Sequence, residues 1–156
     1  MLFRPMHALS KLTAIVACAL TCALFVSCAT PSDPYLDGVR QRAGVVALPS
    51  GLLYEILRPG TGPYPKASDT VRVNYAGALT NGTMFDSSAS HGGPATFPLN
   101  GVIPGWTEGL QKINVGGIIR LHVPARLAYG DRSPSPAIPP NSTLVFEVEL
   151  LSINPR

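Results

Sequence analysis

Beyond residue 28 this chain of 156 residues contains no cysteine; Cys18, Cys22 and Cys28 all fall near the N-terminus. A disulfide framework is therefore excluded from the remainder, and so is a cysteine-based zinc site. Charge is also scarce, at 13% of residues with a net +3, and Lys and Arg form no stripe. That argues against nucleic acid as a partner. Histidine offers little more. His91 and His122 belong to different predicted elements, with no cysteine or paired carboxylate at ligand spacing, so no metal is expected. His122 should lie on the outward side of a strand beside Arg120, in solvent. Glu147 and Glu149 likewise suggest a solvated face. The single tryptophan, Trp106, stands in "FPLNGVIPGWTEGL", residues 97–110, where no obvious nucleophile accompanies it.

Proline (16) and glycine (15) are abundant, which points to turns and short strands over helices. The N-terminus opens with "MLFRPMHALSK", carrying Arg4 and Lys11. It continues into "LTAIVACALTCALFV", about fifteen uncharged residues of signal-peptide length, too short for a comfortable membrane span. Phe25-Val26-Ser27-Cys28 resembles a bacterial lipobox, with Phe25 where Leu is usual. Ile15-Val16-Ala17-Cys18 fits letter by letter but leaves an apolar run of only about six residues. Ser27-Cys28-Ala29 also suits ordinary cleavage. The expectation is a signal peptide over 1–28 and a lipid anchor at Cys28, with a soluble exported protein as the alternative. Ala29 after the cysteine, by resemblance to enteric lipoproteins, suggests the outer membrane. Residues 29–47 have mixed charge and little periodicity, and are expected to form a flexible tether. It leaves no room for a long dimerisation arm, so a monomer is expected.

From residue 48 onward the chain reads as one domain. "GLLYEILR" predicts a strand, and "TVRVNYAGAL" alternates, with Val71, Val73 and Tyr75 on one face. "TNG" gives a tight turn in which Gly82 takes positive φ. "TMFDSS" and "ATFPL" follow. "PGWTEGLQKI" is the helix candidate, with Pro104 at its start and Trp106, Leu110 and Ile113 along one side. "GGIIRLHV" and "TLVFEVELLSI" are strands, the latter with Leu144, Phe146, Val148 and Leu150 inward. No internal repeat is present. The predicted fold class is α+β: a curved antiparallel β-sheet wrapped around one short α-helix.

"VRVNYAGALTNGTMFDSS", "FPLNGVIPGWTEGLQKI", "GGIIRLHVPARLAYG" and "IPPNSTLVFEVELL" resemble, in order and spacing, the FKBP-type peptidyl-prolyl cis-trans isomerases. The resemblance covers about residues 48–156. It implies an apolar pocket with Trp106 as the floor under a substrate prolyl ring. Tyr75, Phe85, Asp86, Val102, Ile103, Tyr129, Ile138 and Phe146 would complete the pocket. The Ile103 N–H and the Tyr129 hydroxyl would donate to substrate carbonyls, and Asp86 would orient polar groups at the rim. Ala95 stands where many eukaryotic members carry an aromatic wall residue, which opens the pocket on that side. Residues 134–137 also depart from the better-known loop. Read singly, Trp106 is a core residue, Tyr75 and Tyr129 are half-buried tyrosines, and Asp86 is a turn cap; the joint match favours the pocket. Val73 and Phe97 are assigned to the core.

The resemblance implies rotation about X–Pro bonds of exported polypeptides during folding, with no cofactor. It also implies competition by macrolide inhibitors. The alternative is a chaperone module that binds proline-bearing segments with little turnover. The compartment expected is the bacterial cell envelope, facing the periplasm.

Overall fold

The computed structural model describes residues 32–155. Seven strands form one antiparallel sheet: β1 (Val45–Ala47), β2 (Leu53–Arg58), β3 (Thr70–Leu79), β4 (Met84–Ser87), β5 (Ala95–Pro98), β6 (Ile118–Val123) and β7 (Leu144–Ile153). Their order is β1-β2-β6-β7-β3-β4, and β5 pairs with the first half of β3 while β4 pairs with the second. Register shifts at Ile56/Arg58, Arg72/Val73 and Gly77/Ala78 interrupt the ladders, and such bulges bend a sheet. The inward residues of "TLVFEVELL" are the expected ones: Leu144, Phe146, Val148 and Leu150 are all buried. At the β3–β4 turn Gly82 has φ 87° and donates to the Leu79 carbonyl, while the Asn81 side chain accepts from the Thr83 N–H. That is the turn expected from "TNG".

The central helix, α2 (Pro104–Gly109), begins at Pro104, whose missing N–H costs nothing in the first turn. It is shorter than "PGWTEGLQKI" suggests, because the chain tightens to a 3₁₀ turn over Leu110–Lys112. Trp106, Leu110 and Ile113 are buried. The opposite constraint falls on Gly109, where a Cβ would lie 2.6 Å from Leu121 Cδ2 on β6. Gly105 is equally crowded by Val123 and the Leu127 carbonyl. These two glycines, one turn apart, let the helix lie directly on β6.

The N-terminal part departs from expectation. Residues 34–47 are not a flexible tether but a helix and a strand built onto the domain. Helix α1 (Pro34–Arg40) is capped by the Asp33 carboxylate, which accepts from the Tyr35 N–H at 2.9 Å. Pro34 occupies its first turn. Leu36 and Val39, three residues apart, pack with Leu53 in a second small core, and β1 adds to the edge of β2. Each fully buried aliphatic side chain contributes about 1.5–3 kcal/mol against its exposed state.

This cover also corrects the reading of His122. Its side chain does point away from the main core, opposite Leu53 in the β2–β6 ladder, but it is only 1% exposed. Helix α1 lies over it, and the Tyr35 hydroxyl bonds its Nδ1 at 2.9 Å. Outward-facing therefore did not mean solvated. Glu147, in contrast, is exposed and pairs with Arg120, which also reaches Glu55.

Candidate active site

Trp106 lies at the centre of an aromatic cluster on the inner side of the sheet. Its ring centroid is 5.4 Å from that of Tyr75 on β3, 5.3 Å from Phe146 on β7 and 5.7 Å from Phe97 on β5. Phe85 on β4 meets Phe146 at 5.7 Å. Interplanar angles of 80–87° make these contacts edge-to-face, the arrangement that sets ring edges against ring faces. Gly77 makes the cluster possible. A Cβ there would lie 2.7 Å from Phe85 Cζ and 2.8 Å from Phe146 Cε1. Trp106 Nε1 is buried with no partner among the described residues.

The remaining candidates come from loops and strand ends. Val102 and Ile103, half-buried against the main core, are extended residues leading into α2. The Ile103 carbonyl accepts from the Trp106 and Thr107 N–H groups, whereas its own N–H has no partner among the described residues. Ile138 is buried in the same core, its loop held by the Ser133 hydroxyl donating to the Ile138 carbonyl at 2.7 Å. Ala95 is opposite Val73 in the β3–β5 ladder, two residues before Phe97 and so on the same face. Tyr129 is 39% exposed, and burial, followed by the Asp86 charge, raises its phenol pKa.

Asp86 organises the polar side. One carboxylate oxygen accepts from the Tyr75 hydroxyl at 2.8 Å. The other accepts from the Ser87 N–H and lies 2.8 Å from His91 Nε2. Burial pulls the Asp86 carboxyl upward, but the bonds from Tyr75, His91 and Ser87 outweigh it and hold it below the ordinary carboxylate range. The same hydrogen bond, added to the larger effect of burial, pushes Tyr75 up to about 12. Tyr75 is thus a neutral donor throughout the physiological range.

Tyr75, Phe85, Asp86, Trp106 and Phe146 are therefore joined in one contact network, while Val102, Ile103 and Ile138 share the main core with its rings. Three further members escaped sequence reading. Phe97, assigned to the core, closes on both Tyr75 and Trp106. Its aromatic type on an inward strand position was the available signal. Ser88 is buried and bonds the backbone of Tyr75, and His91 reaches Asp86; both depend on a turn that spacing alone does not reveal. Cys28 lies outside the described residues.

Residues 62–151 match the model of the FKBP-type peptidyl-prolyl cis-trans isomerase family. The chain is 51% identical over 121 residues to the FKBP-type peptidyl-prolyl cis-trans isomerase FkpA of Aeromonas hydrophila, covering 78% of this chain and 45% of that protein. It is 50% identical over 121 residues to the outer membrane protein MIP of Legionella longbeachae, covering 78% and 52%. The crystal structure of a peptidyl-prolyl cis-trans isomerase from Pseudomonas syringae pv. tomato superposes with a TM-score of 0.72 at 40% identity, covering 78% of this chain and 89% of that one. The chain spans about half the length of the curated relatives it matches. On the strength of the matched residues, the sheet and the aromatic cluster, this chain belongs to the FKBP-type peptidyl-prolyl cis-trans isomerase family.

Proposed function

We propose that the domain catalyses cis-trans isomerisation of X–Pro peptide bonds in unfolded or proline-containing polypeptides, using the aromatic cluster around Trp106. The observation that carries this reading is the edge-to-face contact of Tyr75 and Phe146 with a single buried indole, with Phe85 and Phe97 adjoining. The barrier to be lowered is amide resonance, roughly 18–20 kcal/mol. At the twisted transition state that resonance is lost and the amide is less dipolar. Rings that seat a prolyl side chain and fit the twisted form lower the barrier without a bond to the protein. A site with no nucleophile suits this chemistry.

In this reading Trp106 is the floor, and Phe85, Phe97 and Phe146 are the walls. Val102, Ile138 and the small Ala95 shape the opening. The Ile103 N–H and the Tyr129 hydroxyl donate to substrate carbonyls. Asp86 fixes the Tyr75 hydroxyl, so that this polar group does not compete for the substrate. Macrolides that fill such a cup compete with substrate, less tightly where Ala95 replaces a wall.

Residues 1–28 are proposed to direct export and Cys28 to carry lipid, placing a monomeric domain at the periplasmic face of the envelope. The anchor is tested by palmitate labelling of wild type and Cys28→Ala. Undiminished label in the variant would exclude Cys28.

A protease-coupled assay with an X–Pro peptide tests the activity on the full chain. The expected outcome is acceleration over the uncatalysed rate, suppressed by a pocket-filling macrolide. In Tyr129→Phe, loss of one donor should lower kcat/KM about tenfold, equivalent to about 1.4 kcal/mol. A rate equal to background would overturn the isomerase reading in favour of a binding module.

A further inference from the structure

Between β6 and β7 the chain makes one long excursion. Val123 and Leu144 are partners in the ladder, so residues 124–143 leave and re-enter the sheet at the same point. That segment carries two candidate site residues, Tyr129 and Ile138, with no regular structure beyond a 3₁₀ turn over Ala125–Leu127. It is laced to itself. The Gly130 N–H donates to the Ala125 carbonyl at 2.8 Å, and the Asn141 N–H to the Gly130 carbonyl at 2.7 Å. The Ser133 hydroxyl donates to the Ile138 carbonyl at 2.7 Å. Leu127, Ala128 and Ile138 pack on the main core, but apolar contact has no direction of its own.

Among the described residues, one hydrogen bond outside the sheet ladder joins this segment to the rest of the domain. The Thr143 hydroxyl donates to Oδ2 of Asp33. Oδ1 of the same carboxylate caps α1 by accepting from the Tyr35 N–H at 2.9 Å. Tyr35 itself reaches the opposite foot of the excursion: its hydroxyl lies 2.9 Å from Nδ1 of His122, one residue before Val123. The start of α1 therefore grips both feet, Thr143 on one side and His122 on the other. Capping α1 occupies only one carboxylate oxygen. The second holds the site segment.

We propose that Asp33 is a positioning residue for the isomerase site: by holding Thr143 it fixes the segment that presents Tyr129 and Ile138 to the substrate. The proposal rests on the isomerase reading for the roles of those two side chains. Without the tie the segment samples other arrangements, and only the fraction in the competent one binds. Apparent affinity falls by that fraction, whereas a bound peptide selects the competent form and turns over as before. The signature is a raised KM at nearly unchanged kcat, by about threefold to tenfold for one part-buried hydrogen bond.

The test uses full-length wild type, Thr143→Val, Asp33→Ala and Asp33→Asn, in conditions where urea unfolding shows each to be folded. KM and kcat are read on an X–Pro peptide, and macrolide Kd from the fluorescence of Trp106. Amide exchange is read at Gly130, Ile138 and Asn141, whose N–H groups are bonded within the segment. Thr143→Val keeps the cap and removes only the tie. It should raise KM and macrolide Kd together by that factor and accelerate exchange at those amides. Asp33→Asn caps through its oxygen and donates from its amide to the Thr143 hydroxyl, so KM should stay within about twofold of wild type. Asp33→Ala removes cap and tie, and adding Thr143→Val to it should raise KM no further, because both act on one bond. A lower urea midpoint in Thr143→Val with wild-type KM, Kd and exchange would mark a merely structural bond and overturn the proposal. A fall in kcat alone would overturn it too. If wild type turns over no peptide above background, the isomerase reading falls by itself. The tie then stands on accelerated exchange in Thr143→Val and falls if exchange is unchanged.

Discussion

Gly77 is the residue on which the aromatic cluster most depends. Nothing in its backbone angle demands glycine; the crowding does, since Phe85 and Phe146 close over its Cα. Gly77→Ala inserts a methyl group into van der Waals space already held by two rings, and overpacking of this kind costs about 1–3 kcal/mol. The rings must separate, so both stability and the packing of the aromatic cluster should suffer. The expected outcome is a lower urea midpoint at unchanged m-value, together with reduced kcat/KM. A variant as stable and as active as wild type would show that the rings need no such approach. Trp106 shows the same economy, because its burial leaves Nε1 without an acceptor among the described residues. Such a group carries a desolvation cost that edge-to-face packing on three sides helps offset.

Helix α1 behaves as a cover latched to the sheet through a titratable group. Its Tyr35 hydroxyl bonds His122, whose Nε2 lies 3.6 Å from Glu55. Burial drives the His122 pKa below its ordinary value; Glu55 opposes this, while Arg120 and Arg42 reinforce it. The unfolded chain takes up this proton near pH 6.5, about the ordinary histidine value. The folded chain takes it up only at lower pH. In that window the unfolded state binds more protons, so stability rises with pH and is lost on acidification. The melting temperature should therefore fall as pH drops through about 6.5. Amide exchange within residues 36–40 should accelerate first. His122→Gln should flatten this dependence; an identical pH profile in that variant would remove His122 as the cause. At neutral pH, Tyr35→Phe should cost about 1 kcal/mol, since it removes the hydroxyl from a part-buried bond.

At the scale of the molecule, the last strand is also the most central. β7 pairs with β3 along Val71–Leu79 and with β6 along Ile118–Val123, and it carries Phe146 into the site. Neither neighbour has a substitute partner on that side. A chain ending at Ser142 loses Leu144, Phe146, Val148 and Leu150 from the core. It should show no cooperative unfolding transition and a red-shifted, water-exposed Trp106 emission. A blue-shifted emission with a sharp transition would mean that the first six strands suffice. Pairing over such sequence separation is entropically slow, so folding on the millisecond to second scale is expected.

Much of this was legible in the order of residues. Alternation identified β3 and β7 because one face of each meets the core, and "TNG" identified its turn because Gly82 must take positive φ. Asp33-Pro34 with Leu36 and Val39 also held the signals of a capped helix. They passed for a tether because seven residues make no helix stable by themselves; α1 persists through its contacts with Leu53 and His122. The sequence alone determined which residues face inward and which rings are available, since strand and helix periods are local properties. Tertiary structure decided that an outward His122 is buried, that Phe97 packs against Tyr75 and Trp106, and that His91 reaches Asp86. Those depend on distances between segments far apart in the chain, which local backbone preference does not encode.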